Sequence, residues 1–303
     1  MKQTIKRVVQ QVVPKSLLLR GWNRYSQFKA RRAREIFEQA SETPMWLTWD
    51  MLVDLEAAYP LAEETYFFDA VSVEERGREY ARTLLKVLPD DDIGFHSFLD
   101  LGSWDGMVCY ALQEMGKMAV GVDIRSEGLT EKAKQSQVSF SQMDVETLGF
   151  AANSFDVVFS YNSFEHFPDP ELALKEAIRV VRPDGCIYLN FGPLYFSAKG
   201  AHQFTVLSVP YCQCLFSKEM MTEFAQAREI KLVDFHWMNE WSLKQFRQLW
   251  DKYAQELERI KYNEMYKADH IDLISRFPSC FKSKTDFFED LLVSYVEVLF
   301  RKK

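Results

Sequence analysis

The feature that most constrains the fold is a glycine-punctuated turn between two short apolar segments. Residues 97–106 are Ser-Phe-Leu-Asp-Leu-Gly-Ser-Trp-Asp-Gly, and residues 119–123 are Ala-Val-Gly-Val-Asp. This pattern predicts a strand, a tight turn, a helix and a second strand ending in an acid, the first half of a nucleoside-binding α/β unit. Gly102 and Gly106 let the backbone turn sharply, and the Asp123 carboxylate can accept hydrogen bonds from two ribose hydroxyls.

The glycine spacing bears on which nucleoside this unit binds. A nicotinamide or flavin site would place glycines at 102, 104 and 107, because a diphosphate lies against bare backbone at a helix N-terminus. Positions 104 and 107 are Trp104 and Met107. A ligand without phosphates needs less bare backbone, and S-adenosylmethionine is such a ligand. The turn therefore favours S-adenosylmethionine over a dinucleotide.

Strand and helix patterns alternate along the next hundred residues. Asp169 and Pro170 open a helix that extends to about Val181, because aspartate is a preferred N-cap and proline suits the first turn. Residues 182–185, Arg-Pro-Asp-Gly, predict a turn into the next strand. The apolar, strand-like runs are 137–140, 153–160 and 186–191.

Residues 97–191 resemble the class I S-adenosylmethionine-dependent methyltransferase family, with a core similar to its types 11 and 12. The motifs that carry the resemblance are 99–106, 121–123, 143–144, 153–159, 164–166 and 182–185. One departure is Trp104, where the family usually has glycine, and it bears on the shape of the methionine pocket. The resemblance implies an α/β fold: a Rossmann-like, mostly parallel seven-stranded sheet with an antiparallel last strand, flanked by helices.

The resemblance also implies roles for individual residues. Asp100, Gly102 and Gly106 would hold the methionine end, Asp123 the ribose and Asp144 the adenine amino group. Residues 160–162 would form the floor near the sulfonium. An ordinary strand–turn–helix with a capping aspartate is the competing structural explanation, above all for Asp144. The expected cofactor-binding residues are Asp100, Gly102, Ser103, Trp104, Gly106, Asp123, Ile124, Met143, Asp144, Val145, Ser160, Tyr161 and Asn162.

The chain is longer than the core of that family needs. With 303 residues, 47% of them hydrophobic, it can bury a large core and still carry flanking segments. We expect a helical N-terminal arm or cap over residues 1–93, including a helix at 74–88, and the methyltransferase domain over residues 94–303.

The C-terminal half predicts the remaining strands and an insertion. A helix is expected at 217–228, strand six at 231–237 and the last strand at 294–300. A helical insertion at about 239–290 would serve as packing, as a lid or as a dimer contact. Its amphipathic stripe is Leu243, Phe246, Trp250, Tyr253, Leu257 and Ile260.

Charge is distributed unevenly along the chain. Residues 1–34 contain ten Lys or Arg and no acid, whereas the other 269 residues have 27 basic and 44 acidic side chains, a net charge of −17. The acidic bulk argues against a DNA-binding protein. The apolar positions of residues 5–13 and 17–28 are interspersed with basic ones, which fits either an arm packed on its own domain or a peripheral contact with an anionic membrane.

Histidine is the side chain expected to take a proton from an alcohol acceptor during methyl transfer, because its pKa lies near neutrality. The five histidines are His96, His166, His202, His236 and His270. His166 follows strand four and His202 lies in the irregular loop after strand five, so both are candidate bases. Each could equally anchor its own loop. Tyr195 and His202 are the candidate substrate contacts, and with no cluster of acids at the strand ends we expect no metal.

The loop at 192–202 and the long C-terminal segment loosely resemble methyltransferases encoded among bacterial surface-polysaccharide genes. That resemblance implies O-methylation of a sugar or another small-molecule hydroxyl. Two alternatives are a tRNA methyltransferase with a basic RNA-binding arm, and a non-catalytic cofactor-binding scaffold. No two of the five cysteines have the CxxC spacing of zinc or redox sites, and no apolar run approaches the length of a membrane span, so we expect a cytoplasmic protein.

Overall fold

The computed structural model describes residues 15–61, 69–89, 94–125, 127–232 and 238–303. Its strands are β1 Ser97–Leu101, β2 Met118–Asp123, β3 Ser139–Gln142, β4 Phe155–Tyr161, β5 Val181–Phe191, β6 Leu257–Tyr266 and β7 Val293–Lys302. They form one sheet in the order β3-β2-β1-β4-β5-β7-β6. The first five pair in parallel, and β7 runs antiparallel to both of its neighbours. The predicted Rossmann-like sheet with an antiparallel last strand is confirmed.

Helices precede the sheet, connect its strands and follow β5. In chain order they are α1 Lys15–Gln39, α2 Trp49–Ala58, α3 Ala70–Val87, α4 Met107–Glu114, α5 Glu131–Gln135, α6 Pro170–Val180, α7 Cys212–Leu215, α8 Lys218–Gln226, α9 Leu243–Lys252, α10 Ile271–Arg276 and α11 Pro278–Lys282. Within the described residues, 3-10 turns lie at Phe164–His166 and Phe288–Leu291. Among the helices described, none combines the length and the apolar character that crossing a bilayer requires.

The central strands are buried on both faces, as expected for a parallel sheet covered by helices. Every residue of β1 is buried. Leu99 and Leu101 pack into the larger hydrophobic cluster, while Phe98 packs into a second cluster that includes Val157 and Phe159 of β4. Because neighbouring side chains point to opposite faces, both layers of helices are anchored to these two strands, whose ends are thereby held in place.

The predicted turn at 182–185 lies inside β5 as a bulge. Phe155 pairs with Val181 and Val157 with Cys186, so four residues of β5 are opposite a single residue of β4. Asp184 has φ +61°, a left-handed conformation that turn-forming residues tolerate. The turn chemistry was recognised correctly, but it interrupts a strand instead of preceding one.

The prediction of the helical stripe in the insertion was wrong beyond Tyr253. Helix α9 ends at Lys252, and Leu257 and Ile260 belong to β6. Ile260 lies at a register shift and is 42% exposed, so it does not extend the apolar face of the helix. The three-and-four spacing continued by coincidence into a segment whose backbone pairs with β7.

Strand six was expected at 231–237, but the strand beside β7 is β6. Residues 231–232 are not in a strand, and 233–237 lie outside the described residues.

Helix α1 packs against β6 and the segments that follow it. The Asn23 side chain donates to the Glu264 carbonyl at 2.7 Å and accepts from the Tyr266 amide at 3.1 Å. Arg34 forms an ion pair with Glu289 at 2.6 Å. One face of the basic N-terminal segment therefore packs on its own domain over residues 15–39, whereas the periodicity at 5–13 lies outside the described residues.

Asp156 connects three elements at the amino end of the sheet. One carboxylate oxygen accepts from the His96 and Ser97 amides at 2.7 Å each, and the other accepts from Arg182 Nε at 2.6 Å. Burial alone would raise the pKa of Asp156, but these hydrogen bonds outweigh it and lower the pKa to about 2. The ionised carboxylate therefore contributes stability above its ordinary pKa of 3.8, and this contribution is lost as pH falls towards about 2.

We expect Asp156→Asn to lower the free energy of unfolding at pH 7 by about 1–3 kcal/mol, because it replaces the charged acceptor of three hydrogen bonds with a neutral one. The difference from the unmodified chain should shrink as pH falls from about 4 to about 2. Urea unfolding at several pH values measures both. Asp251→Asn, at an exposed position, is the matched control, and a loss equal to that control at pH 7 would contradict the assignment.

Candidate active site

The carboxyl ends of the parallel strands open into a cavity of about 630 Å³. It lies around β1 and β4, where the order of strands reverses along the sheet, which is the usual ligand position in open α/β folds. The predicted site residues that line it are Asp100, Gly102, Ser103, Trp104, Asp123, Ile124, Met143, Asp144, Val145, Tyr161, Asn162, His166 and His202. The fold thus gathers residues from four strand ends and the loop after β5.

Three predicted site residues, Gly106, Ser160 and Tyr195, are not among the residues that line this cavity. Gly106 is the N-cap of α4, and a Cβ there would come within 2.8 Å of Ala133 Cβ. Ser160 is fully buried and donates to the Leu101 carbonyl at 2.8 Å, which ties β4 to β1. The Tyr195 ring packs against Phe196 with centroids 5.2 Å apart. These residues support the walls of the site.

The turn after β1 is held against the end of β4 by a contact at Gly102. Gly102 has φ +80°, and a Cβ there would lie 2.5 Å from Ser163 Cβ. The Ser163 hydroxyl donates to the Gly102 carbonyl at 3.1 Å. A side chain at 102 would therefore separate the two strand ends, so glycine is required here for protein packing as well as for backbone conformation.

Asp123, at the end of β2, is oriented by the turn after β1. One carboxylate oxygen accepts from the Trp104 amide at 3.0 Å, and the other accepts from the Arg125 amide at 3.0 Å. The Arg125 guanidinium carbon lies 4.0 Å from the centroid of the Trp104 ring. Trp104 thus stacks under Arg125 at the place where the family usually has glycine, and both residues line the cavity beside Asp123.

Three carboxylates lie close together at the end of the cavity formed by β1, β2 and the turn between them. Burial raises the pKa of Asp100 well above its ordinary value, and repulsion from Asp105 and Asp123 raises it further. Burial also raises the pKa of Asp105, against the opposing effects of the Met107 amide and Arg76. Ionising Asp100 or Asp105 in this place costs free energy unless a cation is near. This part of the cavity therefore suits a positively charged ligand.

Helix α3 forms a wall of the cavity. The Tyr80 ring stacks on Tyr161 with centroids 4.3 Å apart, and the Tyr161 hydroxyl donates to the Tyr80 carbonyl at 3.0 Å. Asn162 Nδ2 donates to the Tyr80 hydroxyl at 3.0 Å. Arg76 also lines the cavity and pairs with Asp105 at 3.4 Å. The described part of the N-terminal region thus contributes directly to the site.

Glu165, His166 and His202 lie together in the same cavity. The two imidazole rings are perpendicular, with centroids 5.0 Å apart. Glu165 is buried, and its Oε1 accepts from the Gly192 amide at 3.0 Å. Burial raises the pKa of Glu165 to about 8, although that hydrogen bond opposes the shift.

His202 has a defined hydrogen bond and a strained backbone. Its Nε2 lies 3.2 Å from the Pro193 carbonyl oxygen, which can only accept, so Nε2 is the donor. Its φ of +54° is a left-handed conformation that a side chain disfavours. Burial lowers the pKa of His202, although the bond to Pro193 opposes this, so the ring is neutral at pH 7.

Sequence reasoning missed several residues that line the cavity. Tyr80 and Arg76 lie on the helix predicted at 74–88, but nothing in its pattern indicated which face meets the sheet. Glu165 was visible beside His166, yet its place in the cavity depends on the loop after β5. The missed lining residues are Arg76, Gly77, Tyr80, Asp105, Val108, Arg125, Ser163, Glu165, Phe167, Pro168, Gly192, Pro193, Phe204, Thr205 and Tyr295.

Comparisons with known proteins cover the same part of the chain. Residues 99–189 match a family model described as a methyltransferase domain. The ubiquinone biosynthesis O-methyltransferase of Coxiella burnetii (strain Dugway 5J108-111) is 28% identical over 151 residues, which are 45% of this chain and 64% of that protein. The arsenite methyltransferase of Aquipseudomonas alcaligenes is 32% identical over 133 residues, 39% of this chain and 38% of that protein. The match thus spans less than two thirds of each relative.

A solved structure also aligns with the chain. The S-adenosylmethionine-dependent methyltransferase of Mesorhizobium loti superposes with a TM-score of 0.46 and 16% identity, over 75% of this chain and 99% of that one.

The sheet order, the glycine turn and the matched segment all concern the same residues. The match at 99–189 extends from β1 into β5 and includes most of the strand ends that line the cavity. The family binds S-adenosylmethionine as its methyl donor. Residues 99–189 are a methyltransferase domain of the class I S-adenosylmethionine-dependent family.

Proposed function

We propose that this chain transfers a methyl group from S-adenosylmethionine to a hydroxyl oxygen of a small-molecule acceptor, with sugars among the candidates. The observation that carries the proposal is the pair of imidazoles, His166 and His202, in the cavity that also contains Asp123. The name of the Coxiella burnetii relative describes an O-methyltransferase, which supports the same class of reaction.

The residues of the cavity fit the methyl donor. Asp123 has two carboxylate oxygens able to accept further hydrogen bonds from ribose hydroxyls, and Asp144 and Ile124 lie beside it in the lining. The carboxylates of Asp100 and Asp105 favour a cationic ligand, and the donor has both a sulfonium and an ammonium group. When bound, the donor supplies an electrophilic methyl group.

An alcohol acceptor needs a proton acceptor as its oxygen forms the new bond to carbon. Because His202 Nε2 donates to the Pro193 carbonyl, its Nδ1 has the free lone pair that can take this proton. The leaving group is a neutral thioether and needs no acid. The aromatic residues Phe167, Phe204 and Tyr295 line the same cavity and can exclude water from an apolar or ring-shaped acceptor.

We expect Asp123→Ala to weaken S-adenosylmethionine binding by about 1–3 kcal/mol, because the ribose hydroxyls lose their acceptor. Isothermal titration calorimetry of the purified chain measures the affinity, with NAD as the ligand that should not bind. Asp123→Asn tests charge against hydrogen bonding. Asp184→Asn, at an exposed position in the β5 bulge, is the control. Equal affinity in Asp123→Ala and the unmodified chain would exclude Asp123 from the site.

We expect His202→Ala to slow methyl transfer by about 10²–10⁴-fold while leaving S-adenosylmethionine affinity unchanged, since the ring acts on the acceptor. His166→Ala should act in the same direction. The measurement is transfer of a radiolabelled methyl group to a panel of phenols, catechols and sugars. His96→Ala, exposed at the opposite end of β1, is the matched control, and unchanged turnover in His202→Ala would remove this residue from the mechanism.

The same assay with tRNA added to the acceptor panel separates the alternative functions. Transfer to tRNA and not to small molecules would replace the proposal with an RNA methyltransferase. Binding of S-adenosylmethionine with no transfer to any acceptor would favour a non-catalytic scaffold. The resemblance to surface-polysaccharide methyltransferases and the cytoplasmic location stay predictions.

A further inference from the structure

We infer that Glu165, His166 and His202 form a binding site for a divalent first-row transition-metal ion. Each of the three offers one ligand atom to the cavity, and these atoms lie within 4.8 Å of one another. A metal ion bonded at about 2.0–2.2 Å to each would bring the ligand atoms to roughly 3–3.5 Å apart. The ligand atoms would therefore have to approach one another by roughly 1–2 Å when the ion binds.

An unsatisfied oxygen in this group points to a missing partner. Glu165 Oε2 is buried, and among the described residues it has no hydrogen-bond partner. A protonated carboxyl would be no better satisfied there, because its hydroxyl would also need an acceptor. Buried polar atoms are rarely left unpaired. A cation beside Glu165 accounts for this oxygen.

His202 already has the second hydrogen bond that a metal-binding imidazole uses. Its Nε2 donates to the Pro193 carbonyl at 3.2 Å, which leaves Nδ1 deprotonated. Metal-ligating histidines usually donate their other ring N–H to a carbonyl or carboxylate in this way. His166 Nε2 lies 3.9 Å from Glu165 Oε1, so the carboxylate and this ring are neighbours without being in hydrogen-bond contact.

The donor set limits which ion fits. Two imidazoles and one carboxylate suit Zn²⁺, Co²⁺ or Fe²⁺, whereas Mg²⁺ and Ca²⁺ prefer all-oxygen sites. Three protein ligands leave at least one coordination position open. In this cavity the open position can be taken by an oxygen of the acceptor.

The catalytic consequence of the ion rests on the proposed function. A hydroxyl bound to the ion loses its proton to solvent more readily. Its oxygen then forms the C–O bond as the C–S bond breaks, so that the negative oxygen and the positive sulfonium become a neutral ether and a neutral thioether. With the ion bound, His166 and His202 act as its ligands. The ion then activates the hydroxyl in place of the His202 imidazole.

The test uses Co²⁺ alone as the probe, with the full chain freed of metal by EDTA and no methyl donor or acceptor present. Equilibrium dialysis and the visible absorption of Co²⁺ should show one ion per chain. His166→Ala, His202→Ala and Glu165→Gln should each weaken binding at least about tenfold. His202→Asp keeps a ligand atom and should bind with intermediate affinity, whereas His96→Ala should bind as the unmodified chain does. Circular dichroism checks that each variant is folded.

Two results would overturn the metal site: no Co²⁺ binding by the unmodified chain, or binding that His202→Ala and His96→Ala share equally. Methyl transfer is measured separately. A chain that transfers methyl groups to hydroxyls but binds no Co²⁺ keeps the proposed function and loses the metal site. A chain that binds Co²⁺ but methylates no hydroxyl keeps the metal site and loses the proposed function.

An independent observation concerns the outer face of α1, turned away from the domain. Its exposed members are Leu17, Arg20, Trp22, Arg24, Tyr25, Phe28, Arg31 and Arg32, together with the acidic Glu35, which pairs with Arg31 at 3.3 Å. Phe28 is 75% exposed and Trp22 is 56% exposed, although both are large and apolar. The opposite face of the same helix is buried, with Ser26, Ala30, Ala33 and Phe37 nearly inaccessible. The outer apolar residues therefore do not serve the packing of the helix.

We propose that this outer face binds the surface of an anionic membrane. The arginines lie three or four residues from Phe28 or from one another, so they flank the aromatic side chains on one side of the helix. Tryptophan, tyrosine and phenylalanine insert at the boundary of lipid headgroups and tails, and arginines pair with lipid phosphates. RNA would use the charges but would leave Leu17 and Phe28 in water.

Sedimentation of the full chain with vesicles tests this surface. We expect binding to phosphatidylcholine vesicles that contain about 30 mol% of the anionic lipid phosphatidylglycerol. We expect little binding to vesicles of phosphatidylcholine alone. Arg24→Glu with Arg31→Glu, and separately Phe28→Ser, should each weaken binding by roughly tenfold or more. Lys218→Glu, a partly exposed lysine on α8, is the control. The proposal would be overturned if the full chain did not bind these vesicles, or if the α1 variants bound them as well as the unmodified chain does. It would also be overturned if the α1 variants lost binding to tRNA but not to vesicles.

Discussion

The contact between Gly102 and Ser163 holds the ends of the two central strands together, and the arrangement of the cavity depends on it. The turn can approach β4 this closely because position 102 has no Cβ, which would otherwise lie 2.5 Å from Ser163 Cβ. The same turn places the Trp104 amide on the Asp123 carboxylate. The absence of a Cβ at position 102 therefore fixes both the floor of the cavity and the orientation of Asp123.

The cavity divides its chemistry between two groups of titratable residues. Burial raises the pKa of Asp100 and of Asp105, so a negative charge on either is costly and this part of the cavity favours a cation. His202, by contrast, is kept neutral by burial and is oriented by the Pro193 carbonyl. This division matches the charges of the two proposed reactants, a cationic sulfonium donor and a neutral hydroxyl acceptor. The division is a property of burial, since the side chains by themselves have ordinary pKa values in water.

Sequence patterns were reliable where one local rule decided the structure. The glycine turn, the Asp169 cap and the alternation of strands predicted the core because each rests on backbone geometry within a few residues. The stripe through Leu257 and Ile260 failed because its spacing continued past the end of α9, while pairing with β7 decided the conformation. Gly106 was expected at the cofactor, yet its missing Cβ makes room for Ala133.

The sequence by itself determined the order of strands and helices from β1 to β5, the acid at the end of β2 and the neighbouring pair Glu165 and His166. These follow from periodicity and turn chemistry, which act over short distances along the chain. Only the tertiary structure decided that His202 meets that pair and that Tyr80 of α3 stacks on Tyr161. Such contacts join residues far apart in the chain. These contacts depend on how loops and helices pack over the sheet. Local sequence patterns do not specify which distant residues come together in this packing.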